Sequence, residues 1–94
     1  MRLDQFLRAS RIVLRRTVAQ ELCDAGAVTV NGVAARSSRS VREGDVIALR
    51  RRDRLTTLRV VGVPASRNVS KAEAAALYET IRDERARDDR DDPE

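Results

Sequence analysis

The hydrophobic positions at the start of the chain repeat with a helical period. Leu3, Phe6 and Leu7 lie on one helical face, with polar residues at the positions between them. A short amphipathic helix is therefore predicted to begin almost at the first residue. Asp4 lies in its first turn, where a carboxylate suits the positive end of the helix dipole, and it is near enough to Arg2 to hold that guanidinium. A simple capping charge is the alternative role for Asp4.

A second helix is predicted from about Thr17, which forms a capping-box pattern with Gln20. Its apolar stripe is Val18, Ala19, Leu22 and Cys23, and Gly26 follows as a typical helix stop. The connector before it, residues 10–14, has an apolar centre that is expected to be buried against the domain. Cys23 is interpreted as a small core residue rather than a reactive thiol.

The pattern then changes from a period of 3.6 to an alternation that indicates strands. Residues 28–30 alternate as in a half-buried strand, Asn31-Gly32 is a strong hairpin signal, and residues 33–35 return. A polar loop at 36–40 and a turn at 43–45 precede a strand at 46–49, a basic turn at 50–54 and a last strand at 55–63. The sequence thus predicts an α+β fold in which two N-terminal helices pack on a small, bent antiparallel sheet.

The C-terminal third is predicted to leave this domain. Residues 64–69 form a linker, and Ser70 with Glu73 repeats the capping-box pattern at the start of a third helix that reaches about Arg87. That helix docks on the domain or binds a partner. The predicted organisation is an RNA-binding domain at 1–63, a linker with a C-terminal helix at 64–87, and a disordered acidic tail at 88–94.

Charge is divided unevenly between these parts. Residues 1–70 hold 14 Lys and Arg against 6 Asp and Glu, whereas residues 71–94 hold 5 against 9. A basic body favours a polyanionic partner, most readily nucleic acid, and a merely solvated basic surface is the alternative. All basic residues except Lys71 are arginines, whose planar fork matches phosphate, although a GC-rich genome also favours Arg codons.

Several classes of site are excluded by composition. With one cysteine and no histidine, the chain has no zinc finger, no Cys-His or Ser-His catalytic pair and no disulfide framework of its own. The charged N-terminus does not resemble a signal peptide, and no apolar run is long enough for a bilayer. We expect a cytoplasmic protein that is not an enzyme, needs no metal or cofactor and does not enter a membrane.

The candidate site lies at the start of the second helix. Arg15 and Arg16 are placed where cations oppose the helix dipole, so an anion bound there would compensate them. The free N–H groups of the first turn, the Thr17 hydroxyl and the two guanidiniums together form a candidate phosphate site. Exposed arginines that turn back into water are the alternative.

Two other basic elements are expected to reach the same surface. They contribute Arg2 and Arg11 from the first helix and connector, and Arg36 and Arg39 from the loop after the hairpin. With Phe6 and Tyr78 as the aromatic residues, such a surface would bind structured RNA through phosphates and shape rather than through stacked bases. The Arg50-Arg51-Arg52 run is either electrostatic support or a solvated turn.

These features resemble the S-four RNA-binding domain. The resemblance covers roughly residues 2–50 and rests on Leu3-Asp4, Phe6-Leu7, Arg16-Thr17, Leu22, Gly26, the Val28-Thr29-Val30-Asn31-Gly32 run and Gly44-Asp45. It implies the αL-type fold, with two helices against a small bent sheet. It also implies binding of structured RNA through the second helix and its neighbouring loops.

A closer resemblance, over nearly the whole chain, is to the small stand-alone bacterial RqcP family. It is carried by the opening Met-Arg-Leu-Asp-Gln-Phe-Leu, by residues 15–19 and by Lys71-Ala72-Glu73 with Leu77-Tyr78. It implies a monomeric factor of ribosome-associated quality control that binds large-subunit ribosomal RNA and peptidyl-tRNA on obstructed subunits and supports C-terminal tailing of stalled chains. By this resemblance Arg2, Asp4 and Arg16 are the first candidates for the site.

Three other functions share these features. The heat-shock S-four protein, which recycles free large subunits with nascent chains, usually has a longer basic extension in place of the acidic tail. An accessory domain of an RNA-modifying enzyme is a second possibility, although the stretch after Val63 is expected to be too short for a catalytic domain or a cofactor site. The third is a structural ribosomal protein present in every subunit.

Overall fold

The computed structural model describes residues 1–66 and 68–85 and shows an α+β fold. The helices are α1 (Leu3–Ala9), α2 (Arg16–Asp24) and α3 (Lys71–Ala75). The strands are β1 (Val28–Val30), β2 (Val33–Ala34), β3 (Val46–Arg51), β4 (Arg54–Val60) and β5 (Tyr78–Arg85). The predicted fold class, an α+β fold with two N-terminal helices against a small antiparallel sheet, is confirmed.

The core is aliphatic and lies between α1, α2 and one face of the sheet. Its fully buried side chains come from both layers: Leu3, Phe6, Leu7, Ala19, Val28, Val30, Ile47 and Leu58 have no exposed area. Burying one large apolar side chain of this kind contributes roughly 1.5–3 kcal/mol. Cys23 is part of this core, as predicted, and burial together with the charges of Asp4 and Asp24 raises the pKa of its thiol to about 11.

Three residues between the end of α2 and the start of β2 adopt the left-handed backbone conformation, with positive φ. Gly26 has a φ of 76° just after α2, and Asn31 and Gly32 have φ values of 54° and 85° in the β1–β2 hairpin. Both predicted turn signals are therefore confirmed, since a two-residue hairpin turn favours positive φ at both positions. The Asn31 side chain also accepts a hydrogen bond from the Val46 amide at 2.9 Å, which fastens the hairpin to β3.

All neighbouring strands are antiparallel, in the order β2-β1-β3-β4-β5. The pairing between β4 and β5 is interrupted by an irregularity at Thr57 and Leu58. Residues that alternate on β3 and β4, such as Ile47, Leu49, Leu58 and Val60, point into the core. Arg59, which lies between Leu58 and Val60 on β4, therefore points to the opposite face of the sheet.

The third helix is much shorter than the sequence predicted. Ser70 accepts a hydrogen bond from the Glu73 amide at 3.1 Å and Glu73 bonds back to the Ser70 amide at 3.0 Å, which confirms the capping box. The prediction that this helix continues to Arg87 is wrong, because residues 78–85 form β5. The strand is favoured by a partner distant in sequence: β5 pairs with β4, and Glu79 and Asp83 form ion pairs with Arg59 and Arg54.

Two smaller expectations are also corrected. In the connector only Val13 is fully buried and Ile12 is partly so, whereas Leu14 is 75% exposed. The last strand of the predicted domain ends at Val60 rather than Val63. The division of the chain at residues 63 and 64 stays a prediction, and the predicted tail at 88–94 lies outside the described residues.

Candidate nucleic-acid interface

The site is organised around the carboxylate of Asp4, which has no exposed area. Its Oδ1 accepts hydrogen bonds from Arg2 Nε at 3.2 Å and from the Gln5 amide at 2.8 Å. Its Oδ2 accepts from Arg16 Nε at 3.1 Å and from Gln20 Nε2 at 2.9 Å. We refer to Asp4 with Arg2, Arg16 and Gln20 as the Asp4 cluster.

Electrostatics keep this buried carboxylate ionised. Burial by itself would raise the pKa of Asp4. The hydrogen bonds from Gln20 and Arg16, together with the charges of Arg16 and Arg2, outweigh burial and hold that pKa below its ordinary value of 3.8. One negative charge therefore holds two guanidiniums, and the cluster has a net positive charge.

The two arginines of the cluster remain partly open to solvent. The side chains of Arg2 and Arg16 are 43% and 38% exposed, whereas that of Asp4 is fully buried. Arg16 binds Asp4 through Nε, so its terminal nitrogens are still available as donors for a phosphate. The arrangement orients guanidiniums towards a ligand before the ligand arrives, which reduces the conformational entropy lost on binding.

The start of α2 differs from the prediction in one respect. Arg15 occupies the N-cap position in an extended conformation, Arg16 is the first helical residue, and no side chain caps the helix. The predicted Thr17–Gln20 capping box is wrong because Gln20 donates to Asp4 instead. Arg15 and Thr17 are both exposed beside Arg16, as a phosphate site at this helix start requires.

The loop at 36–40 packs on the N-terminus of α1 through its backbone. The amide of Leu3 donates to the Arg39 carbonyl at 2.8 Å and that of Asp4 donates to the Ser37 carbonyl at 3.1 Å. Arg2 also forms an isolated antiparallel bridge with Ser40. The loop that carries the exposed Arg36 and Arg39 is thereby held against the start of α1. Binding of RNA by these two arginines stays a prediction.

Arg11 lies apart from the cluster. It has a left-handed φ of 62°, and its Nη2 donates to the Val69 carbonyl at 3.4 Å. A polar groove of about 380 Å³ beside the cluster is lined by Gln5, Arg8, Arg16, Ser66 and Asn68. Arg8 was not among the sequence-predicted site residues, although its place one turn along α1 from Gln5 marks the same helical face.

Gln20 is the other residue that the sequence did not reveal. Its spacing from Thr17 suggested a local capping role, whereas its actual partner lies 16 residues earlier in the chain. No local signal distinguishes these two roles, since both use the same side-chain amide. The basic turn between β3 and β4 lies elsewhere, beside Val18 and Leu22 of α2.

The chain is similar to known proteins over most of its length. Residues 1–47 match the S4 (S-four) domain. An RQC P-site tRNA stabilizing factor from Halalkalibacterium halodurans is 43% identical over 84 residues, which is 89% of this chain and 93% of the relative. The factor of the same name from Bacillus subtilis is 38% identical over 90% of this chain and 96% of its own length.

A solved structure agrees with these sequence matches. Heat Shock Protein 15 from Vibrio cholerae, solved as a trimer, superposes with a TM-score of 0.77 at 32% identity, covering 85% of this chain and 80% of that one. None of the helices in the described ranges has the length and apolar character needed to cross a bilayer. By its S4 match and its near full-length relatives, the chain belongs to the S4 domain family and, within it, to the RQC P-site tRNA stabilizing factors.

Proposed function

We propose that this protein is a non-catalytic, cytoplasmic factor of ribosome-associated quality control. It binds ribosomal RNA of the obstructed large subunit together with peptidyl-tRNA and so supports C-terminal tailing of the stalled nascent chain. The family membership supports the quality-control role. The site residues are Arg2, Asp4, Arg15, Arg16 and Thr17 around the cluster, with Arg11, Arg36 and Arg39 extending the surface.

The single observation that carries the RNA-binding part is the geometry of the Asp4 cluster. A carboxylate without exposed area holds two guanidiniums that are each about two-fifths exposed, and an exposed arginine and threonine adjoin them. Arginines fixed in this way present planar donor forks that fit the phosphate oxygens of a folded RNA. Asp4 acts here as a positioning residue and does not itself touch RNA.

The experiment is a binding titration of purified large subunits carrying peptidyl-tRNA, at several salt concentrations. Arg16→Ala and Arg15→Ala should each weaken binding and reduce the slope of log K against log salt by about one unit for each phosphate that the variant no longer binds. Arg59→Ala is the matched control. Arg59 lies between the core residues Leu58 and Val60 and pairs with Glu79, so it points away from the core side of the sheet.

Equal affinities and slopes for the wild type, Arg15→Ala and Arg16→Ala would rule out the α2 start as a phosphate site. A reconstituted tailing reaction then tests the biological role, since loss of tailing with Arg16→Ala but not with Arg59→Ala is expected. Binding that remains strong while tailing is unaffected by both variants would contradict the proposed role in tailing.

A second candidate is the recycling of free large subunits that carry nascent chains. It is favoured by the structural likeness to Heat Shock Protein 15. Comparing affinities for free subunits carrying nascent chains and for subunits assembled with tailing components separates the two roles. A monomer remains our prediction for this chain, and sedimentation of the free protein tests it.

A further inference from the structure

The connector between α1 and α2 presents one apolar side chain to solvent. Arg11 follows α1 with a left-handed φ of 62°, and the amides of Ile12 and Val13 both donate to the Leu7 carbonyl at 3.1 Å. This tight reversal buries Val13 and turns the next residue outwards. Leu14 is 75% exposed, more than any other large hydrophobic residue among those the structure describes.

Arginines surround this leucine. A small cleft of about 80 Å³ is lined by Arg8, Ala9, Arg11, Leu14 and Val69. Arg8 also lines the polar groove beside the Asp4 cluster, so the cleft continues the surface that is proposed to bind RNA. Among the described residues, no carboxylate forms an ion pair with Arg8, Arg11 or Arg15, and all three are exposed. Uncompensated positive charge around an apolar side chain favours a polyanion over a protein surface.

Position 11 has an arginine where the backbone favours glycine. A residue with positive φ just after a helix is usually glycine, because a Cβ atom adds a steric cost there. Arg11 adopts this conformation nevertheless, and its Nη2 donates to the Val69 carbonyl at 3.4 Å, which holds the guanidinium at the cleft. The turn itself needs no side chain at this position, which indicates a role for the guanidinium at the surface.

We propose that the cleft binds an unpaired nucleotide of the RNA. The base packs against the Leu14 side chain and the guanidinium plane of Arg11, and Arg8 binds an adjacent phosphate, since bases that leave an RNA helix stack on arginine planes as well as on aromatic rings. Neither aromatic residue is exposed, because Phe6 is fully buried and Tyr78 is half-buried. This inference rests on the proposed RNA-binding function and adds to it a preference for helices interrupted by an unpaired nucleotide.

The test compares two RNA hairpins that differ by a single unpaired nucleotide in the stem, titrated with the full chain by fluorescence anisotropy. The wild type should bind the hairpin with the unpaired nucleotide about threefold to tenfold more tightly, and Leu14→Ala should remove that preference because it removes most of the apolar contact area. Since leucine carries no charge, Leu14→Ala should leave the slope of log K against log salt unchanged. Arg8→Ala should make the slope shallower by about one unit.

Ile81→Ala is the matched control, because Ile81 is 53% exposed on β5 between the acidic Glu79 and Asp83, and it should keep the preference. Equal affinity of the wild type for both hairpins, or an undiminished preference in Leu14→Ala, would overturn the inference and leave the RNA-binding function in place. Absence of binding to both hairpins at about 50 mM salt would contradict the RNA-binding function and the inference together. Weaker binding of Leu14→Ala to large subunits, with an unchanged preference between the hairpins, would assign Leu14 to a protein contact instead.

Discussion

The Asp4 cluster makes a sharp prediction for Asp4→Asn. An amide has one acceptor oxygen where the carboxylate has two, and both Asp4 oxygens face donors. If the amide oxygen faces Arg16 and Gln20, its NH₂ group faces Arg2 and the Gln5 amide; the opposite orientation exchanges the two conflicts. Either way the buried NH₂ group meets a donor that cannot become an acceptor, the Gln5 amide in one orientation and the Arg16 guanidinium in the other.

The size of the effect follows from that geometry. Losing a charge-assisted hydrogen bond and leaving buried donors unpaired costs about 2–4 kcal/mol, discounted here for the partial exposure of both arginines. A domain of this size loses about 4–8 °C in Tm per kcal/mol, so Asp4→Asn should lower Tm by about 8–32 °C. Thermal unfolding followed by circular dichroism measures this at pH 7.

The pH dependence provides the decisive check. Because the folded-state pKa of Asp4 is lowered, its charge contributes stability that is fully present above the unfolded value near 3.8 and is lost as pH falls through the folded value. The stability difference between wild type and Asp4→Asn should therefore shrink below about pH 4.

The control variant is Glu21→Gln, which removes the same charge from an exposed position on α2. Its unfolding free energy should stay within about 0.5 kcal/mol of the wild type. A Tm for Asp4→Asn within about 4 °C of the control, or a difference that does not change between pH 7 and pH 3, would refute the described network.

Three further predictions concern the fold. Gly32→Ala should lower the unfolding free energy by about 1–2 kcal/mol, because position 32 has a φ of 85°, and urea unfolding against the wild type measures it. Cys23 should react with iodoacetamide at pH 8 far more slowly in the folded protein than in 6 M guanidinium, since it is buried and the pKa of its thiol is about 11; equal rates would contradict its core position. Ser70→Ala should cost about 1 kcal/mol and speed amide exchange in Lys71–Ala75, whereas exchange in β1 should not change.

Sequence patterns predicted correctly those elements that are determined by residues close together in the chain. The apolar period of α1 and the positive-φ signals at Gly26 and Asn31-Gly32 all gave the observed elements. Residues 78–85 were predicted wrongly because their strand depends on backbone pairing with β4, whose partner residues lie 18 to 31 positions away. No periodicity within that segment encodes such a partner.

The site shows the same division. Arg2 and Asp4 are two residues apart and their pairing could be read from the sequence. The contacts of Arg16 and Gln20 with Asp4 bridge 12 and 16 positions, and they depend on how α1 packs on α2. A cation at position 16 opposes the dipole of α2, and this marked the position as unusual. The sequence suggested a bound anion as the compensating charge, whereas in the structure the carboxylate of Asp4 pairs with Arg16.

The strand order also bears on how the molecule can be divided. The S4 match ends at residue 47, which lies inside β3, while β4 and β5 continue the same sheet beyond it. A fragment that stops at the end of the match would cut a central strand, and one that stops at residue 63 would leave the seven residues of β4 as an open edge. β5 is itself an edge strand, but its removal would leave the β4 backbone unpaired and would take away the acidic partners of Arg54 and Arg59. A fragment designed for structural or binding work should therefore retain the chain through Arg85, since β5 is the strand that closes β4.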